Sequence, residues 1–505
     1  MKKYIILNLV LLLFIMTSCD DGFLTNAPTS SQEVGGAVTD GAILSNLGAA
    51  YQPLLLDSYA DNNYNSLVLL SDLRSDDIYK GGGDAGDQHQ LYLLSQFSTS
   101  ASENLDGIWV VLYNGIARSN NVIQACENSI GVDDATLTQY KAEAHFLRAY
   151  YLHWLWKFWG NVPYFEEAIE APYVAPQFTA DEIYAQIMED VDFACTEGAL
   201  DMRTTGSKLG RVSRAAALML RARVVMYQKD SSKYAQVTAD MAEIINSGLF
   251  DLSAVPGEIF LDEGEWGPGS IFESNQLPEG KTWSSGWGGY GTNLPAFISP
   301  NGLAVAADAV NGTPKGGWGF GPVRTEAAAI YEDGDLRKDA SINTLVAGEY
   351  TSRFQDTGLF EAKYCARVGY NPPPGDTDLN YANNVRIFRF SEALLNYAEM
   401  IVMNNQTEVS GITAAQCMNQ VRKRAFGIDS NITPSDENIK LERRREFLGE
   451  GMRFWDIVRW GDTSLLNDDN SFSERTWTAS QKYLPIPQSE IDKTTGTTYP
   501  LQQNP

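Results

Sequence analysis

The run KAEAHFLRAYYLHWLWKFWGNVPYF occupies residues 141–165 and carries the pattern of a long helix that ends abruptly. Leu147, Tyr150, Tyr151, Trp154, Leu155 and Phe158 recur at i, i+3/4, i+7/8 and i+11, one face of a 3.6-residue period. The spacing predicts a helix over 136–159 with one buried face. Thr136-x-x-Gln139 has the form of a capping box that would satisfy its first orphan amides, and Gly160 with Pro163 closes it.

Working outward, similar helices follow on both sides. One is predicted over 103–127, a second from the box Thr179-x-x-Glu182 to about Gly198, and a third over Val212–Gln228 with Leu218, Ala222, Val225 and Met226 on one side. After Asp230-Ser231-Ser232 a fourth runs to Asn246-Ser247-Gly248. The pattern returns at Asn384–Met403 with Ala414–Arg424, and Thr433-Pro434 then starts a helix that Gly449 and Gly451 interrupt before Phe454–Trp460. About four helical hairpins emerge, none able to bury its apolar face alone, so they must stack in the manner of a degenerate tetratricopeptide-like solenoid. The fold class is mainly α: a helical-hairpin scaffold with a large, irregular, loop-rich insertion.

That insertion is Gly264–Gly321, with fourteen glycines, four tryptophans and only six charged residues. Each glycine costs a helix about 1 kcal/mol relative to alanine, so no helix propagates here. Two smaller loops lie at 72–90, around Gly81-Gly82-Gly83, and at 370–380, around Pro372-Pro373-Pro374-Gly375.

The chain of 505 residues carries a formal net charge of −26, which repels phosphate backbones and anionic head groups. Nucleic acid and an electrostatic membrane grip are thereby excluded, and neutral ligands are favoured. Residues 1–18 read as a secretory leader: Lys2-Lys3, an apolar run from Tyr4 to Met16, then Thr17-Ser18 before Cys19. A leader ending at cysteine resembles the bacterial lipoprotein pattern, with Cys19 as the lipidated first residue of the mature protein. Cys126, Cys195, Cys365 and Cys417 are widely spaced and read as buried small hydrophobes. His89, His145 and His153 lack metal-ligand spacing, the last two reading as interior residues of one helix.

Eight segments in order resemble the SusD/RagB family of surface glycan-binding lipoproteins. They are CDDGFLTNAPT, the 141–165 stretch, GRVSRAAALMLRARVVMY, NNVRIFRFSEALLNYAEM, MNQVRKRAFG, LERRREFLGEGMRFWDIVRWG, YLPIPQSEI and the closing LQQNP. The resemblance implies a tetratricopeptide-like scaffold over about 40–260 and 384–461, a ligand-binding region over about 264–383 and a C-terminal extension over 462–505. It also implies an oligo- or polysaccharide ligand, a SusC-like TonB-dependent transporter as partner, no catalytic activity and no cofactor. Asp20-Asp21 after Cys19 look like the export tag of surface-exposed lipoproteins, which implies a lipid-anchored place on the outer membrane, exposed at the cell surface.

Sugar rings present apolar C–H faces and polar rims, so a glycan site needs flat aromatic rings beside carboxylates and amides. Trp283, Trp287, Tyr290 and Trp318 stand among glycines and are the candidates for stacking, the alternative being rings that staple the loops to the core. By the resemblance, Asp76, Asp77 and Tyr79 in the first loop are also candidate ligand contacts; the alternatives there are a solvated turn or a structural calcium site, although the spacing is not that of an EF-hand. Arg443-Arg444-Arg445, flanked by Glu442 and Glu446, reads as an ion-pairing run. Gly286-x-Gly-x-x-Gly291 matches a dinucleotide fingerprint only as a string, since no strand precedes it and no helix follows. Two rival functions remain: a glycan-cleaving enzyme, which needs only two carboxylates at the right separation, and a solenoid that binds a protein. No nucleophile-elbow or HExxH signature supports the first, and the aromatic insertion disfavours the second.

Overall fold

The computed structural model describes residues 38–56, 59–60, 63–64, 66–278, 280–283 and 291–504. Helix α1 (Asp40–Tyr51) is followed by the hairpin of α2 (Asp106–Glu127) and α3 (Asp134–Trp159), then by α4 (Ala180–Ala194), α5 (Arg214–Gln228) and α6 (Tyr234–Asn246). Each helix packs on the next, and α6 packs on α7 (Phe390–Val402), which joins α8 (Ala414–Phe426) and α9 (Asp436–Phe447). The helical halves separated by the insertion therefore form one stack, a tetratricopeptide-like scaffold with one continuous apolar core. Among the described residues no helix is long and apolar enough to cross a membrane.

Helix α3 is the axis of the scaffold. Every residue from Phe146 to Gly160 is buried, so neighbours cover it on all sides rather than on one. Each fully buried ring contributes about 2–3 kcal/mol of transfer free energy. Its residues Glu143, His145 and Arg148 are paired: Asp190 receives Arg148 at 2.6 Å and lies 2.6 Å from His145, and Glu143 receives Arg211 at 2.6 Å. On α2, Gly115 is required by close approach, because a Cβ there would lie 2.3 Å from the Tyr151 ring. Gly160 is required twice over, with φ +70° and a would-be Cβ 2.8 Å from Tyr483.

Several boundaries differ from the sequence reading, three of them with a local cause. The cap of α3 is Asp133, whose carboxylate accepts the Thr136 amide at 3.0 Å, so Thr136 lies inside the first turn. Helix α9 begins after Ser435, not at Thr433-Pro434. Residues Val385–Arg389 are not helix but a strand, β2, paired antiparallel with β1 (Ser270–Ser274). Its residues Val385, Ile387 and Phe388 suit a buried strand, and the apolar run continuing into α7 masks the change of period. The Thr179 box on α4 stands as read, with both reciprocal bonds formed.

The arginine run of α9 is internal. Arg443 pairs with Asp456 at 3.0 Å, Arg444 with Asp77 at 2.8 Å and Arg445 with Glu332 at 2.6 Å. The flanking acids serve other partners: Glu442 takes Arg337 and Arg422, and Glu446 takes Arg389 and Arg424. The C-terminal segment returns to the first half, where the Leu484 amide donates to Phe158 O at 2.6 Å and Trp159 Nε1 to Pro485 O at 3.1 Å. Cys126, Cys195, Cys365 and Cys417 are buried free thiols.

Asp72 and Asp77 of the first loop and Glu361 are each at most 2 % exposed. Burial raises all three carboxyls, Glu361 to about 8, with the nearby acids adding to the shift and Lys363 opposing it at Glu361. A carboxyl that holds its proton more tightly when folded stabilises fully below its unfolded value, and that stability is lost as pH rises through the folded value. Thermal stability should therefore fall between about pH 4.5 and 8 by an amount on the order of a few kcal/mol. In Glu361→Gln this alkaline slope should flatten in melts recorded across that range; an unchanged slope would assign it to other groups.

Candidate functional site

The 280–283 segment crosses the 376–380 loop. Lys281 N donates to Asn380 Oδ1 at 2.7 Å, Asp376 N to Lys281 O at 2.8 Å, and Trp283 N to Asp376 Oδ2 at 2.6 Å. With its backbone held there, the Trp283 side chain turns outward and is 52 % exposed. Its ring centre is 5.9 Å from that of Trp318, the planes inclined at 44°.

Trp318 is half-buried. It rests on Phe297 with ring centres 4.7 Å apart, its amide donates to Ala296 O at 2.6 Å, and its indole Nε1 donates to Asp378 Oδ2 at 3.2 Å. The glycine before it has a specific reason: a Cβ on Gly317 would meet Ala296 O at 2.2 Å. Lys315 Nζ donates to Asn371 Oδ1 at 3.2 Å and stands 5.0 Å over the Tyr381 ring. Burial pulls the Lys315 ammonium below its usual range, and Asp378 pulls it back.

Two indoles therefore stand at the surface beside Asp376, Asp378, Asn371 and Lys315. The rings offer stacking faces, the carboxylates and amide accept or donate to hydroxyls, and the ammonium donates. These four polar residues are absent from the sequence-derived candidates. The 370–380 loop was visible only as a proline-glycine break, and the Asp376-x-Asp378 pair following it was the available signal.

The first loop does reach this surface, through its glycines. Gly82 N donates to Gly319 O at 2.8 Å and Gly321 N to Lys80 O at 3.0 Å; a Cβ on Gly81 would lie 2.5 Å from Gly319 O. Arg353 links the two loops, donating to Trp318 O at 2.8 Å and lying 3.5 Å from Asp87.

Asp76, Asp77 and Tyr79 turn the other way, which corrects their expected role. Asp76 receives Arg453 through two bonds of 2.7 and 3.0 Å and lies 3.1 Å from Arg444. Burial would raise the Asp76 carboxyl, but bonds from Arg453 and both arginine charges hold it below the usual range. Asp77 is 1 % exposed and paired to Arg444, while Tyr79, 5 % exposed, lies under the Arg324 guanidinium at 4.3 Å. Their polar groups are committed to the interior, so they serve the scaffold. Trp287, Tyr290 and Cys19 lie outside the described residues. Among the described residues no group of three His, Cys, Asp or Glu side chains is arranged to hold a metal.

Two family models match the chain: the SusD family over residues 338–505, and "Starch-binding associating with outer membrane" over residues 41–226. Surface glycan-binding protein A from Bacteroides fluxus is 59 % identical, with a TM-score of 0.89 over 93 % of this chain and 99 % of that one. Surface glycan-binding protein A from Bacteroides thetaiotaomicron, solved in complex with laminarihexaose, is 37 % identical, with a TM-score of 0.85 over 92 % and 99 %. A SusD-like protein of Bacteroides ovatus is 27 % identical, the match covering 91 % of this chain and 82 % of that protein.

Proposed function

This chain belongs to the SusD/RagB family, and from that premise we propose that it captures a neutral glycan of the laminarin type at the cell surface and hands it to a SusC-like TonB-dependent transporter. The observation that carries the reading is the exposed Trp283 ring beside Trp318, bordered by Asp376 and Asp378. Stacking places the C–H face of a sugar against an indole, and the bordering carboxylates take its hydroxyls. The similarity to a protein solved with laminarihexaose supports the choice of ligand. Capture and delivery call for no bond-making chemistry, so the function is binding alone.

The soluble form, residues 20–505, should be retarded in a native gel containing laminarin. Mobility equal to that in a glycan-free gel would remove the ligand assignment. For the anchor, the leader ending at Cys19 carries the argument. Cys19→Ala should appear unprocessed or in the medium on fractionation, and its normal retention in the outer membrane would refute lipidation.

A further inference from the structure

A cleft of about 570 Å³ opens between the outer face of α2, the 163–175 loop and the C-terminal helix Gln488–Thr494, sharing no lining residue with the Trp283–Trp318 surface. We propose that this cleft is a second subsite for the same neutral glycan chain, an inference that rests on the function proposed above.

The lining has the composition that sugars require. Tyr113 is half-buried with its hydroxyl donating to Pro163 O at 2.8 Å, which sets the ring against Phe165, 6.2 Å away and inclined by only 11°. The loop carrying Phe165 is clamped to α2, because Asn120 Nδ2 donates to Phe165 O at 2.9 Å while its own oxygen receives Arg148 at 3.0 Å. Opposite them Tyr173 is 75 % exposed and held at φ +59°, its amide donating to Glu170 O at 2.8 Å. A bulky side chain in the left-handed region costs about 1–2 kcal/mol, and an exposed ring forgoes its burial free energy as well. Such a display is explained by a ligand that covers the ring.

The polar lining narrows the ligand class. Asn114 and Asn121 are exposed on the same face of α2, two turns or about 10 Å apart along the axis. Their amides both donate and accept, as hydroxyl partners must. Among the described lining residues Lys493 is paired with Glu490 at 2.5 Å and Glu167 adds a second carboxylate, so the rim does not select an anion. The volume falls in the range of small-ligand sites, roughly 300–1,000 Å³, which suits a few sugar rings rather than a folded partner. A long chain spanning both surfaces would gain avidity over either alone.

Hydrogen exchange of the soluble protein with laminarihexaose localises the contacts. Slower exchange is expected over both 280–318 and 165–175, and over 165–175 alone in Trp283→Ala. In a laminarin gel, Tyr173→Ala combined with Asn121→Ala, both exposed positions that leave the core intact, should weaken retention roughly three- to tenfold. Protection confined to 280–318, or retention of that double variant equal to wild type, overturns the second subsite and leaves the function standing. Protection at neither segment overturns the laminarin reading, and this inference with it.

Discussion

Trp283→Ala should weaken laminarin binding at least about tenfold while leaving the melting temperature within about 1 °C of wild type. The two halves of that expectation come from one fact: the ring is 52 % exposed, so the core does not depend on it. Its backbone amide remains bonded to Asp376 after truncation, which keeps the 280–283 crossing in place. What disappears is the more exposed of the two rings, and Trp318 remains half-buried against Phe297. Calorimetric titration with laminarihexaose measures the effect, and circular dichroism melts supply the control. Trp283→Phe should restore part of the affinity, since a smaller ring still offers a face. An affinity within twofold of wild type in Trp283→Ala would remove this ring from the site.

Glu446→Ala should destabilise the fold by about 3–5 kcal/mol. The Glu446 carboxylate is 3 % exposed and lies 2.9 Å from Arg389, 2.5 Å from Arg424 and 3.5 Å from Arg337. Removing it takes the carboxylate partner from buried Arg424, while Arg389 keeps Glu450 and Arg337 keeps Asp335 and Glu442, and the buried unpaired charge of Arg424 is the dominant penalty. Burial would raise the Glu446 carboxyl, yet Arg424, Arg389 and Arg337 hold it well below its usual range. Its contribution is therefore present above about pH 4.5, the unfolded value, and is lost as pH falls through the folded one. Urea melts at pH 7 measure the loss, and the variant should be less sensitive than wild type to acid below about pH 4.5. A midpoint shift worth less than about 1 kcal/mol would mean the arginines find other acceptors.

The same network explains why part of the candidate site was misread. Asp76, Asp77 and Tyr79 lie beside three glycines in a stretch that looks like an exposed loop. Their partners Arg444, Arg453 and Arg324 come from segments more than two hundred residues away. Local sequence carries no record of such pairings. The three polar residues of the 370–380 loop, Asn371, Asp376 and Asp378, were missed for the same reason, since they become neighbours of Trp283 and Trp318 only through the crossing at Lys281 and Asn380.

Periodicity alone determined the helical scaffold, because a 3.6-residue apolar repeat has one way to bury itself and the period is written in consecutive residues. Glycine content, which acts locally on the backbone, kept long helices out of 264–321, where the described residues form one short α-helix, Leu294–Ile298. The strand at Val385–Arg389 needed its partner Ser270–Ser274 before the chain could leave the helical pattern. Which aromatic ring faces water was likewise a tertiary decision: Trp318 lies back on Phe297 and Trp283 stands out, although both sit in glycine-rich chain. Exposure of a side chain depends on what the rest of the molecule brings against it, and that information resides in packing between distant segments.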